Sequence, residues 1–147
     1  MNIICKYRIH FFLIMLFSVA LSGCSEADKE FVHTTNTISQ MICKSSHGGG
    51  EFRGEIYEYN KNEELVTGSF KQEDIEGGYG LILFAVPKSL EDDVDLKNIY
   101  LIATVTFDEF ITPSLVGRHD ITGDGIIISV KSGVGTVRRY RVRGYYE

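Results

Sequence analysis

The residues in this chain whose chemistry goes beyond filling a core are cysteines, histidines, clustered carboxylates and one alternating run of arginines. Cys43 and His47 stand four apart, and a thiolate nucleophile needs such a base together with an orienting partner. His33, His119 and Asp120 are available in composition, but no spacing brings them to Cys43, and one cysteine with scattered histidines falls short of a zinc site. Asp120-Ile121-Thr122-Gly123-Asp124-Gly125 has oxygen donors but lacks the ligand count and closing glutamate of a calcium loop, so it reads as a turn between strands. Glu91-Asp92-Asp93-Val94-Asp95 reads as a solvated acidic loop. Glycine-rich nucleotide fingerprints, nucleophile elbows and paired catalytic carboxylates are not present. The expectation is a protein without catalytic residues, metal or dissociable cofactor.

Arg139, Arg141 and Arg143 are different. They alternate, so on a strand all three project from one face, with Arg138, Tyr140 and Val142 on the other. Three guanidinium groups in a stripe suit lipid phosphates, peptidoglycan carboxylates or an acidic protein loop. The plainer reading, and the weightier one in so acidic a chain, is a solvated sheet face whose arginines pair with carboxylates such as Glu51 or Glu55. Tyr57, Tyr59, Tyr79, Tyr140, Tyr145 and Tyr146 supply rings with an apolar body and a polar tip, at home in a binding surface or an ordinary sheet.

The elements that must position these residues are short strands. Residues 31–45 end in a strand. Residues 45–50, with three glycines, form a loop rather than a phosphate cradle, because no helix with Lys and Ser or Thr follows. Residues 51–59 alternate, with Phe52, Gly54 and Ile56 on one side and Arg53, Glu55 and Tyr57 on the other. A turn at residues 60–63 leads to a returning strand at 65–71, and 73–80 is an acidic, glycine-rich loop. Residues 81–86 are an unbroken apolar run, as expected of a central strand. Ser89-Leu90-Glu91-Asp92 reads as a capping box on one helical turn. Ile99, Leu101, Ala103, Val105 and Phe107 form the inward side of the next strand, and residues 125–131 and 136–146 the last two. The predicted fold class is mainly β, a single small antiparallel β-barrel or β-sandwich domain over residues 31–147.

The start of the chain carries an address. Lys6 and Arg8 precede an eleven-residue apolar run at residues 11–21, too short for the about 20 residues a membrane span requires. Leu21-Ser22-Gly23-Cys24 follows at once and resembles the lipobox of bacterial lipoprotein precursors. The resemblance implies removal of residues 1–23 as a signal peptide, with S-diacylglycerol and N-palmitoyl groups on Cys24. It implies partners in the lipoprotein processing and sorting machinery. Residues 24–30 then become the lipidated N-terminus and tether. Several acyl chains give stable anchoring where one is marginal. Ser25, in the position where aspartate favours inner-membrane retention in enterobacterial lipoproteins, is a sorting residue that favours the outer membrane, with the inner membrane the alternative. Length, lipobox and β-rich body together resemble small enterobacterial lipoproteins of the YafY/YfjS type.

Cleavage would remove Lys6 and Arg8 but none of the 20 carboxylates, moving the formal charge from −5 to −7. Such acidity argues against nucleic acid as a partner. Cys5 would leave and Cys24 be acylated, so Cys43 would have no intramolecular partner, and burial beside Met41-Ile42 is expected. The function implied is a non-enzymatic lipoprotein of the cell envelope, lipid-anchored and facing the periplasm, binding a protein or envelope component. The alternative is a periplasmic inhibitor or immunity-type protein that blocks a hydrolase with a loop at 45–50 or 73–80.

Overall fold

In the computed structural model, the described residues are 33–48, 50–68, 77–106 and 108–147. The signal, lipidation and sorting residues expected at 1–30, Cys24 and Ser25 included, lie outside them. Residues His33–Glu147 form one unit.

Alternating apolar residues build eight strands: β1 (Gln40–Lys44), β2 (Glu51–Arg53), β3 (Glu55–Tyr59), β4 (Tyr79–Val86), β5 (Tyr100–Thr104), β6 (Phe110–Thr112), β7 (Ile126–Lys131) and β8 (Val137–Tyr146). They form a three-stranded sheet in the order β2-β1-β5 and a five-stranded sheet in the order β3-β4-β8-β7-β6. The mainly β class is as predicted, and no closed barrel forms among the described residues.

One pairing departs from the antiparallel expectation. β4 and β8 run parallel over their full overlap, from Tyr79 opposite Arg139 to Val86 opposite Tyr146. A parallel pair needs a long return path. The chain provides it by leaving β4 to build β5, β6 and β7 before coming back. The backbone lacing continues past the strand ends, where Glu147 N–H donates to Val86 O at 3.0 Å and Lys88 N–H to Glu147 O at 2.8 Å.

The predicted strand at 51–59 is divided at Gly54. β2 pairs with β1 in one sheet and β3 with β4 in the other, so this stretch is the corner between the sheets. Gly54 N–H donates to Met41 O at 2.9 Å. A Cβ at Gly54 would lie 2.7 Å from Ile82 Cγ2 and 3.0 Å from the Phe84 ring. The corner therefore depends on the missing side chain, which lets the backbone press against β4.

Three smaller readings need correction. Residues 65–68 make no strand: Leu65 forms a single bridge to Tyr59, and residues 69–71 lie outside the described set. Ser89 caps nothing; Lys88–Leu90 is a 3₁₀ turn without a side-chain cap, because Pro87 precedes it. The short strand β6 lies between the stretches at 99–107 and 125–131, where the sequence pattern predicts no strand.

Both sheets face one core. Met41 and Cys43 of β1 and Leu101 of β5 join Ile82, Phe84, Ile128, Val130 and Val142 from the larger sheet. Val94, Leu96, Ile99 and Ile121 close it from the connections. Substituting Gly54→Ala should force Ile82 and Phe84 from their places and cost about 1–3 kcal/mol, the usual range for overpacking. Urea unfolding of both proteins measures this; equal midpoints would show that the corner does not need the close approach.

Candidate binding face

β8 carries two chemistries on its two sides. Because it is paired on both edges, its alternation is enforced at every residue. Arg138, Tyr140, Val142 and Gly144 are buried, while Arg139, Arg141, Arg143 and Tyr145 are exposed.

The inward side contains a cluster that the pattern analysis missed. Arg138 is fully buried and meets Glu58 with 3.0 Å between Nη1 and Oε2. The same Nη1 donates to Tyr59 O at 3.0 Å and Tyr79 O at 3.1 Å. The Tyr140 hydroxyl donates to Glu58 Oε1 and accepts from Ile38 N–H at 3.0 Å, tying the segment before β1 to the larger sheet. The Tyr140 ring lies over Gly80, where a Cβ would stand 2.2 Å from ring carbons. Burial pushes Glu58 up to about 7, against the opposing pull of the Tyr140 hydroxyl and Arg138. It also raises Tyr140 well above the usual phenol range. The signal was present in parity: Glu58 continues the inward series Phe52, Gly54, Ile56, and Arg138 shares the side of Tyr140 and Val142.

The outward side brings the predicted stripe together. Register places Tyr79 opposite Arg139, Leu81 opposite Arg141 and Leu83 opposite Arg143 on β4. From β7, Ile127 stands opposite Arg141 and Ser129 opposite Arg139. Tyr59 and Tyr79 stack at one end, with centroids 4.9 Å apart and planes 17° off parallel. Tyr59, Tyr79, Leu81, Ile127 and the three arginines line a groove of about 470 Å³. The expected pairing with Glu51 or Glu55 is not made. Glu51 binds Lys44 at 2.8 Å, and Glu55 accepts from the Tyr57 hydroxyl at 2.7 Å. Arg141 donates to the Asp124 carbonyl at 2.8 Å, and none of the three arginines forms an ion pair among the described residues.

The other candidates are dispersed. Cys43 is buried in the core, as expected, and desolvation pushes its thiol up to about 12, far from a reactive thiolate. His47 sits in the exposed loop, with Nδ1 3.1 Å from Ser46 Oγ. His33 is held by Asp108, whose Oδ2 accepts the His33 backbone N–H at 2.6 Å; that bond is the main cause holding Asp108 below the usual carboxylate range. Asp120 Oδ1 accepts from the Thr122 hydroxyl at 2.6 Å and the Thr122 N–H at 2.9 Å, closing its own turn. Among the described residues no group of three or more histidine, cysteine or carboxylate side chains is arranged to hold a metal ion.

Two measurements test this picture. Glu58 binds its proton more tightly folded than unfolded, so its stabilisation is full below pH 4.5 and is lost as pH rises through about 7. Relative to Glu58→Gln, the wild type should lose on the order of 3 kcal/mol between pH 4.5 and 8 in paired unfolding titrations; parallel stability curves would refute the assignment. In the native protein Cys43 should resist a maleimide probe and react only on unfolding, whereas prompt labelling would contradict its burial.

No protein-family model matches the chain, and no curated protein matches it. Among solved structures, it is similar to one from Bacteroides fragilis described as a candidate secreted protein, with 14% identity and a TM-score of 0.42 over 76% of this chain and 95% of that one.

Proposed function

We propose that this chain is a non-enzymatic lipoprotein of the bacterial cell envelope, anchored through acyl groups on Cys24, whose β-domain binds a protein or envelope component in the periplasm. The observation that carries the reading is Leu21-Ser22-Gly23-Cys24 placed directly behind the basic and apolar stretches of residues 6–21. Small residues before the cysteine allow an extended backbone to approach a peptidase closely, and the new amino group is then open to acylation. Among the described residues no helix is long and apolar enough to cross a membrane. In this reading the acyl groups on Cys24 hold the chain at the bilayer. Ser25 favours the outer membrane, and the YafY/YfjS-type lipoproteins remain the resemblance that fits this layout.

The β-domain supports a binding role rather than a catalytic one. Its one free thiol among the described residues is buried and hard to ionise. Its exposed face is built of arginine, tyrosine and aliphatic residues, a composition in which arginine and tyrosine are typical of energetically dominant interface positions. The inhibitor reading places its contacts instead in the loop at 45–50 or the one at 73–80, of which residues 73–76 lie outside the described residues. In the former, Ser45 Oγ donates to Asp93 O at 2.8 Å and accepts from His47 N–H at 3.1 Å, which fixes the start of the loop.

In cells making the full chain, globomycin should cause the uncut precursor to accumulate, and Cys24→Ala should abolish incorporation of labelled palmitate. Unchanged processing together with persistent label would remove the anchor. Membrane fractionation should find the wild type in the outer membrane and Ser25→Asp in the inner; a soluble wild type would contradict the reading.

A further inference from the structure

We propose that the outer face of the five-stranded sheet docks an extended acidic segment of a partner protein, with carboxylates on alternate residues lying along β8. The inference deepens the binding role proposed above and is independent of the lipid anchor.

Charge comes first. Arg139, Arg141, Arg143 and Lys131 project from this face, and Glu55 is the carboxylate that faces them from the described strands of the same sheet. Glu55 is already engaged by Tyr57. The chain as a whole is acidic, with a formal charge of −5, so this positive face stands out against its surroundings. An anionic partner is drawn here and repelled elsewhere, which favours one docking orientation.

Spacing narrows the partner. Side chains on one face of a strand repeat about every 6.5–7 Å, so the three guanidinium groups span about 13 Å in two equal steps. An extended polypeptide has the same repeat. Carboxylates on its alternate residues therefore meet successive arginines, whereas a contiguous acidic run turns half its charges away. A guanidinium presents a planar fork to each carboxylate, giving pairs that are directional as well as charged.

The groove supplies the rest. Leu81 and Ile127 flank Arg141 on the two neighbouring strands, and Ile127 is 51% exposed. The stacked Tyr59–Tyr79 pair closes the end nearest Arg139. A segment that ends in an aromatic residue can add a ring contact against this tyrosine pair beside its ion pairs. Lipid headgroups share the negative charge but carry no fixed linear repeat. Single-stranded nucleic acid has charge and rings, but the acidity of the chain opposes it.

The test uses the full chain purified in a neutral detergent. It contains no tryptophan, so its tyrosine emission is readable in the presence of a non-aromatic peptide. Two synthetic peptides of identical composition are titrated, one alternating glutamate and valine and the other with its glutamates grouped at one end. The alternating peptide should bind about tenfold or more tightly, and binding should weaken as salt is raised. Arg141→Gln and, separately, Arg139→Gln should each weaken it about tenfold while far-UV circular dichroism stays unchanged. Equal affinity for the two peptides, no effect of either substitution, or preference for phosphatidylglycerol vesicles or a single-stranded oligonucleotide would overturn the proposal. Palmitate content is measured on the same preparation: peptide binding without palmitate would remove the anchor alone, and palmitate without peptide binding would remove the docking site alone.

Discussion

β8 is hydrogen-bonded to β4 along residues 139–146 and to β7 along residues 137–142, and these overlapping pairings leave it no freedom of register. A slip of one position would send Arg138 and Tyr140 to solvent and drive Arg139, Arg141 and Arg143 into the core. The buried Glu58–Arg138–Tyr140 cluster locks against such a slip, since its members meet only in the observed phase. The exposed arginine ladder follows from the same phase. Core and surface chemistry are thus two readings of one alternation.

The cluster is costly, and the cost has a physical account. Taking a carboxylate and a guanidinium out of water is repaid only in part by their mutual attraction. Here Arg138 also satisfies two backbone carbonyls at the ends of β3 and β4, and Tyr140 holds the segment before β1. The cluster secures one arrangement of three strands and a leading segment, and a protonated Glu58 relieves part of the charge burial without removing the Tyr140 contact.

Much of the fold was legible because burial imposes period-two patterns that a reader can count. β5 follows from apolar alternation, β4 from an unbroken apolar run, and the exposed stripe on β8 from arginine parity. The parallel pairing of β4 and β8 was not legible, since pairing direction depends on a return path through three other strands rather than on either strand's residues. The corner at Gly54 was hidden for a related reason: residues 51–59 alternate without a break, and only contact with Ile82 and Phe84 shows where the sheet must change. Within the candidate site, the arginines could be placed on one face, but their freedom from Glu51 and Glu55 could not. Glu51 belongs to β2 in the other sheet, where it binds Lys44, and Glu55 is engaged by Tyr57.

The central position of β8 also sets a schedule for folding. It is the last strand in chain order, yet it lies between β4 and β7, so the larger sheet cannot close until it has arrived. Partners this distant in sequence pay a large loop-closure cost before their contacts reward them, which makes assembly slow. A chain threaded through a membrane N-terminus first would emerge with β1 to β7 unable to complete the five-stranded sheet. Such a chain would stay threadable until residues 137–146 were through, and only then would the arginine face and the five-stranded sheet form together.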